Sequence, residues 1–188
     1  MEKKIKIKKI SSISIKQYKE IYKLTIDKSL ENDIKIISIL TDIDIEVLNT
    51  YNYSVIQDLI KIIDGILAED EKLVDFKYKG KKYIFDDKTN KYTTGQFIDL
   101  YHFTNKDVIE NLDYICAILY RQKGEVYDSN KVEERRSIFN DHMSIGYAQS
   151  AALFFFHLKI RLLEDTKASL EKSWKKSLKL MKKNQILK

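Results

Sequence analysis

Proline is absent from the chain and glycine occurs only five times. Tight turns of sandwiches and barrels, and stiff linkers between domains, therefore lack their usual punctuation, and long helices meet few breakers. The one cysteine, Cys116, has no partner for an intrachain disulfide, which excludes the cross-linked framework of a small secreted domain. The strongest apolar run, AALFFFHL at 151–158, falls well short of the roughly 18 residues that cross a bilayer. The opening MEKKIKIKKI is basic but lacks the apolar block and small-residue cleavage site of a signal peptide, so residence in a reducing cytoplasm is expected.

What remains is enough to fold. A length of 188 residues suits one domain with an appended arm. A hydrophobic fraction of 44%, with 12 Tyr and 8 Phe, offers apolar surface to offset chain entropy and argues against disorder. The formal charge of +6 is unevenly spread. Residues 1–10 hold five Lys against Glu2, and residues 167–188 hold eight Lys against Glu171, so the ends carry about +4 and +7 and the body about −5. Basic ends suit nucleic acid, an acidic protein face or an anionic membrane. The excess of Lys over Arg, together with abundant Ile, Asn and Tyr, also fits the codon bias of an AT-rich genome, and Arg is the residue favoured where phosphate is clamped bidentately.

Periodicity supplies the elements. KKIKIKKI alternates Lys and Ile, which predicts a short N-terminal strand. Ser14 precedes a first helix with Ile15, Tyr18, Ile21 and Tyr22 at helical spacing, its tyrosines expected in the core. A second helix covers 31–41 on the stripe Ile34, Ile37 and Leu40, and a short one opened by Asp42 or Asp44 carries Ile45 and Leu48. Ser54 and Gln57 form a candidate capping box for a helix over about 55–68, with Ile56, Leu59, Ile60, Ile63 and Leu67 on its apolar face. Between 73 and 87 the period changes to two around Lys79 and Gly80, which predicts a β-hairpin. A lone hairpin is marginal, and it needs the N-terminal strand as a third member or else a helix to pack on.

Helix returns at Thr93 and Gln96, a second candidate capping box, and again over about 105–120 with Val108, Ile109, Leu112, Cys116 and Leu119. Asp128 or Ser129 is placed to cap NKVEERRSIFN, and Ser144 to cap one long helix or two in line. The first half of that last segment is apolar nearly all round, which predicts a central core helix. Its second half narrows to Leu163, Leu170, Trp174, Leu178 and Met181, an amphipathic stripe beside Lys172, Lys175, Lys176, Lys179, Lys182 and Lys183. The expected fold class is α+β and predominantly α-helical: a helical core, a small antiparallel sheet and a long C-terminal helix. The body spans 1–165 and the Lys-rich arm 166–188.

The chain offers little chemistry. His102, His142 and His157 belong to no HExxH or closely spaced pair, and His157 within FFFHL suits a packed core position. Cys116 lies on an apolar stripe, where a free thiol behaves as a small hydrophobe. DDKTNKYTTG at 86–95 lacks the central Gly and closing Glu of a calcium loop, and GKK at 80–82 lacks the remainder of a phosphate loop. Asp64, Glu69, Asp75 and Lys77 are the residue types of a magnesium nuclease, but a chain this rich in charge produces such sets by chance. No catalytic residue, cofactor or metal is expected. Trp174 among lysines is a possible stacking platform for bases, although its place on the stripe with Leu170 and Leu178 favours packing on protein.

Three stretches carry a resemblance. SSISIKQYKEIYKL with IKIISILTDIDIEVLNTYNYSVIQDLIKIID, then KYTTGQFIDLYHF, then ICAILYRQKGEVYD, resemble small proteins from the structural and assembly gene modules of tailed bacteriophages and related elements of gut Bacteroidetes. The resemblance covers roughly residues 10–160, and the Lys-rich ending departs from it. It implies a non-enzymatic part of the particle (neck, tail or internal component) with other phage structural proteins as partners, within an oligomer or larger assembly. A tail-assembly chaperone not retained in the virion, and a nucleic-acid-binding accessory protein using the basic termini, are the alternatives. The implied location is host cytoplasm during assembly and the virion for a structural component.

Overall fold

Side chains that close helix ends set the frame of the computed structural model, which describes residues 5–67, 75–86, 88, 92–104 and 106–186. Helix α1 (Ile15–Ile26) opens on a full capping box: the Ser14 hydroxyl accepts from the Gln17 N–H, and Gln17 Oε1 accepts from the Ser14 N–H, each at 3.2 Å. Helix α2 (Leu30–Thr41) is capped by Ser29, which accepts from the Asn32 N–H, and has Glu31 and Asp33 in its first turn, where carboxylates suit the helix dipole. It stops at Asp42, held left-handed at φ 55°. Helix α3 (Ile45–Leu48) and helix α4 (Tyr53–Leu67) follow. Ser54 lies inside α4 and is not its cap; the Val55 and Ile56 N–H groups return to the Asn52 carbonyl.

Residues 5–9, the described part of the predicted N-terminal strand, form no strand. Lys8 lies across the end of α2 instead, its N–H donating to the Leu40 carbonyl at 2.9 Å and its Nζ to the Ile39 carbonyl at 2.8 Å. The same ammonium meets Asp42 at 2.6 Å. A cation that satisfies helix-terminal carbonyls, which have no partner within the helix, is favoured over sheet pairing here. The hairpin itself forms as the alternation predicts, with strand β1 (Phe76–Tyr78) against strand β2 (Lys81–Phe85) and Phe76 opposite Tyr83. Its two-residue turn puts Lys79 at φ 44° and Gly80 at φ 76°, the paired positive values of a turn whose twist matches the strands.

The third strand comes from further along the chain. Helix α5 (Thr94–Thr104) leads to helix α6 (Leu112–Leu119), which passes without a loop into strand β3 (Tyr120–Gln122), antiparallel to β2 with Tyr83 opposite Gln122. Only half the box at the start of α5 forms. Thr93 Oγ1 accepts the Gln96 N–H at 3.1 Å, while the Gln96 side-chain oxygen accepts from Arg121 at 3.4 Å. Helix α6 starts later than its apolar spacing suggests, because Asp107 Oδ1 accepts from the Ile109 and Glu110 N–H groups and holds Val108 and Ile109 in a turn.

Every residue of α6 except Tyr114 is buried, and the helix packs chiefly against α7 and α5. Helix α7 (Asn130–His142) starts where Asp128 Oδ1 accepts the Asn130 N–H; Ser129 makes no side-chain cap bond. Its Phe139 is the centre of an aromatic cluster with the sheet, edge-on to Phe76 at 5.5 Å and to Tyr83 at 5.0 Å. Ile37 and Leu40 of α2, Ile56, Leu59 and Ile63 of α4, and Ile15 and Ile21 of α1 are buried as their spacing predicts. Tyr18 and Tyr22 are only half-buried.

Buried polar side chains interrupt this core at Gln96, Asp113, Arg135 and Ser144. Asp113 on α6 is buried and receives Lys19 Nζ of α1 at 2.6 Å and Arg136 Nε of α7 at 2.8 Å. Arg136 also lies over the Tyr114 ring at 4.1 Å and meets Glu133 at 2.7 Å. Helix α8 (Ile145–Ile186) is one continuous helix capped by Ser144, whose Oγ accepts from the Gly146 N–H at 3.2 Å. The chain divides into two compact units, Met1–Ala152 and Leu153–Lys188. The division precedes the change of composition near 165 because it falls within an unbroken helix, with no linker to mark it.

Truncating Asp113 leaves Lys19 as a buried cation without its partner. Asp113→Ala is expected to lower unfolding free energy by about 3 kcal/mol in urea denaturation. Asp113→Leu combined with Lys19→Met and Arg136→Met should cost less than Asp113→Ala alone. An Asp113→Ala loss below about 1 kcal/mol would show that the cluster does not hold the three helices.

Candidate interaction surface

The groups able to do chemistry are dispersed or occupied. His102, His142 and His157 are all exposed, so His157 is not the packed core residue its neighbours suggest. The His142 ring stacks on Tyr78 with centroids 4.4 Å apart. Among the described residues no group of three or more His, Cys, Asp or Glu is placed to hold a metal. Asp75 pairs with Lys82 at 2.5 Å, and Glu69, one of the acids of the nuclease pattern, lies outside the described residues. Much of the calcium-like run also lies outside them, at 87 and 89–91.

Cys116 is fully buried, and burial pushes its thiol well above the ordinary range, with the Asp113 carboxylate acting in the same direction. Burial likewise pushes the Tyr127 hydroxyl up, and its hydrogen bond to Asp99 adds to the effect. Both shifts move a nucleophile away from neutral pH, opposite to what a reactive group needs. Arg135 lines an open cleft of about 500 Å³ with Lys81, Lys131 and Glu134. Its guanidinium is already engaged, donating to the Ala117 carbonyl at 2.8 Å and to Glu125, which also lines the cleft, at 2.9 Å.

Helix α8 is different in kind. Leu170 and Trp174, four residues apart on one face, are 66% and 67% exposed. Lys172 and Lys175 are exposed on other faces of the same turns. The backbone of Leu163, Leu178, Met181, Lys176, Lys179, Lys182 and Lys183 belongs to α8, and their side chains lie outside the described residues. The exposed apolar set extends N-terminal to the predicted stripe. Ile145, Ala148, Ala151, Phe155 and Leu158 are buried, as expected of a helix central to the core. Leu153, Phe156 and Ile160, however, are 52%, 55% and 41% exposed, so the apolar half is buried on one side only.

These added positions escape a reading of the sequence because eight consecutive residues, nearly all apolar, hide the spacing within them. A helix turns about 100° per residue, so such a run faces every direction and only part of it has to be buried. Counting back from Trp174 in steps of four and three gives 170, 167, 163, 160, 156 and 153, the repeat of a coiled-coil seam. Lys167 is the one polar residue on that line.

Among the described residues no helix is long and apolar enough to cross a membrane. No protein-family model, curated protein or solved structure matches the chain.

The contrast between a sealed thiol and an open indole is measurable. Cys116 is expected to resist Ellman's reagent in the native chain and to react once urea unfolds it; stoichiometric labelling of the native chain would contradict its burial. Trp174, the only Trp, should emit at the red end of the indole range and be quenched by acrylamide almost as well as a free peptide. Leu170→Ser and Trp174→Ser should each change unfolding free energy by no more than about 0.5 kcal/mol.

Proposed function

We propose that the chain is a non-enzymatic protein of a tailed-phage particle, acting through protein–protein contacts made by α8. The observation that carries this reading is the row of large apolar side chains left open along one face of that helix, from Leu153 to Trp174. Apolar surface of this kind has a solvation cost that docking onto another protein removes. The phage assignment rests on the sequence resemblance of residues 10–160, and its partners are the other structural chains of the particle. The exposed Lys172 and Lys175, in the same turns of α8 as Trp174 but on other faces, favour a second reading, a nucleic-acid contact through the basic arm.

Mass spectrometry of virions purified from the phage that carries the gene tests the first reading. The chain is expected at stoichiometric level, and Trp174→Ser should reduce its incorporation at least about ten-fold, as loss of an interface anchor does. Presence in lysate complexes with a structural chain, but not in virions, makes it an assembly chaperone. Absence from both sinks the particle reading. Duplex or single-stranded DNA binding that falls steeply with salt and disappears on removal of residues 167–188 would establish the second reading in its place.

A further inference from the structure

The seam on α8 has a charge signature that selects among occupants. Its five described apolar members, Leu153, Phe156, Ile160, Leu170 and Trp174, extend along about 30 Å of helix, enough for three heptads of a facing helix. Lys167 stands on the seam line itself and is exposed. Residues 153–188 carry nine Lys and Arg161 against Glu164, Asp165 and Glu171, a net charge of about +7 by the same counting.

Glu164 and Glu171 border the seam on one side, and both are exposed. They offset the lysines only in part. Two copies of this helix aligned in parallel would bring Lys167 against Lys167 within an apolar layer, and would add two fields of the same sign. A polar residue at such a position disfavours the wrong alignment and selects a partner that meets it. A flat nucleic-acid or membrane contact leaves a different mark. The helical repeat puts positions 172, 176, 179 and 183 on the side of α8 away from Trp174, so a surface that engages those lysines does not also cover the seam.

We infer that the α8 seam docks an amphipathic helix of another protein, one with an apolar stripe and an acidic character, including a carboxylate facing Lys167. The apolar residues supply contact area, and Lys167 with the surrounding positive charge sets alignment and partner choice. Attraction between an acidic helix and an arm of about +7 also speeds encounter in a salt-dependent way. This inference rests on the protein-binding reading of α8 and adds to it the chemistry of the partner.

The test uses the full chain and two synthetic helical peptides of roughly four heptads, each with Leu at the core positions. One carries Glu at the flanking positions and the other Lys. Trp174 emission reports binding. The Glu peptide is expected to produce a saturable blue shift, with affinity at least about ten-fold above that of the Lys peptide. Lys167→Glu should remove most of that preference while keeping the helix content seen by circular dichroism. Leu170→Ser should abolish the shift without changing the hydrodynamic size of the chain.

Equal affinity for the two peptides would overturn the inference. So would reversible dimerisation of the chain that protects Trp174 from acrylamide, or a blue shift with phosphatidylglycerol vesicles and not with the Glu peptide. If neither peptide binds while the chain is still incorporated into virions, the inference fails and the particle reading stands. Selective binding of the Glu peptide by a chain absent from particles and from assembly complexes supports the inference and sinks the particle reading.

Discussion

The carboxylate of Asp113 is the constraint around which the first unit is arranged. It is a charge inside an otherwise apolar helix, and a buried charge is tolerated only where opposite charges and hydrogen bonds reach it. Lys19 arrives from α1 and Arg136 from α7, so the two helices are held to α6 at defined points as well as by apolar contact. The burial of apolar area is by itself non-directional. A carboxylate with one oxygen on each cation is not.

Other parts of the unit follow from the position of α6. Because α6 runs straight into β3, the strand that completes the sheet is delivered by the core helix itself, and the hairpin has a fixed edge to join. Phe139, on the helix that carries Arg136, then packs edge-on against Phe76 and Tyr83 from both strands of the hairpin. The marginal two-stranded hairpin is thereby secured on one edge by hydrogen bonds and on one face by aromatic burial. Ser14 and Ser144 close the arrangement elsewhere, where the segments entering α1 and α8 exchange backbone bonds: the Ile15 N–H to the Met143 carbonyl and the Ile145 N–H to the Ile13 carbonyl.

The second unit differs in how its exposed apolar side chains are arranged. Ile26, Ile62, Ile98 and Val126 of the first unit are also open but lie on separate segments, while α8 beyond residue 152 sets Leu153, Phe156, Ile160, Leu170 and Trp174 along one seam on a segment rich in lysine. The thiol sealed at Cys116 and the indole open at Trp174 stand in contrast: burial withholds the first from reaction, and exposure leaves the second as contact area. The exposed Leu170 and Trp174 are legible in the sequence because lysines interrupt the apolar positions at helical spacing. The exposure of Leu153 and Phe156 is not, because unbroken apolarity carries no phase.

The sequence by itself determined the helical class, the hairpin turning at Lys79 and Gly80, and most of the apolar faces. Those properties are local: periodicity, cap residues and positive-φ turn chemistry act within a few residues. Only the tertiary structure decided the third strand, because a three-residue strand such as Tyr120–Gln122 is too short to show alternation. It also decided the fate of the N-terminal segment. Alternating Lys and Ile satisfy a strand pattern, but the carbonyls at the end of α2, distant along the chain, offered Lys8 a better set of bonds. The same holds for Asp113: nothing within α6 tells a buried acid from an exposed one, since its two cations come from helices distant in sequence and meet only in the fold.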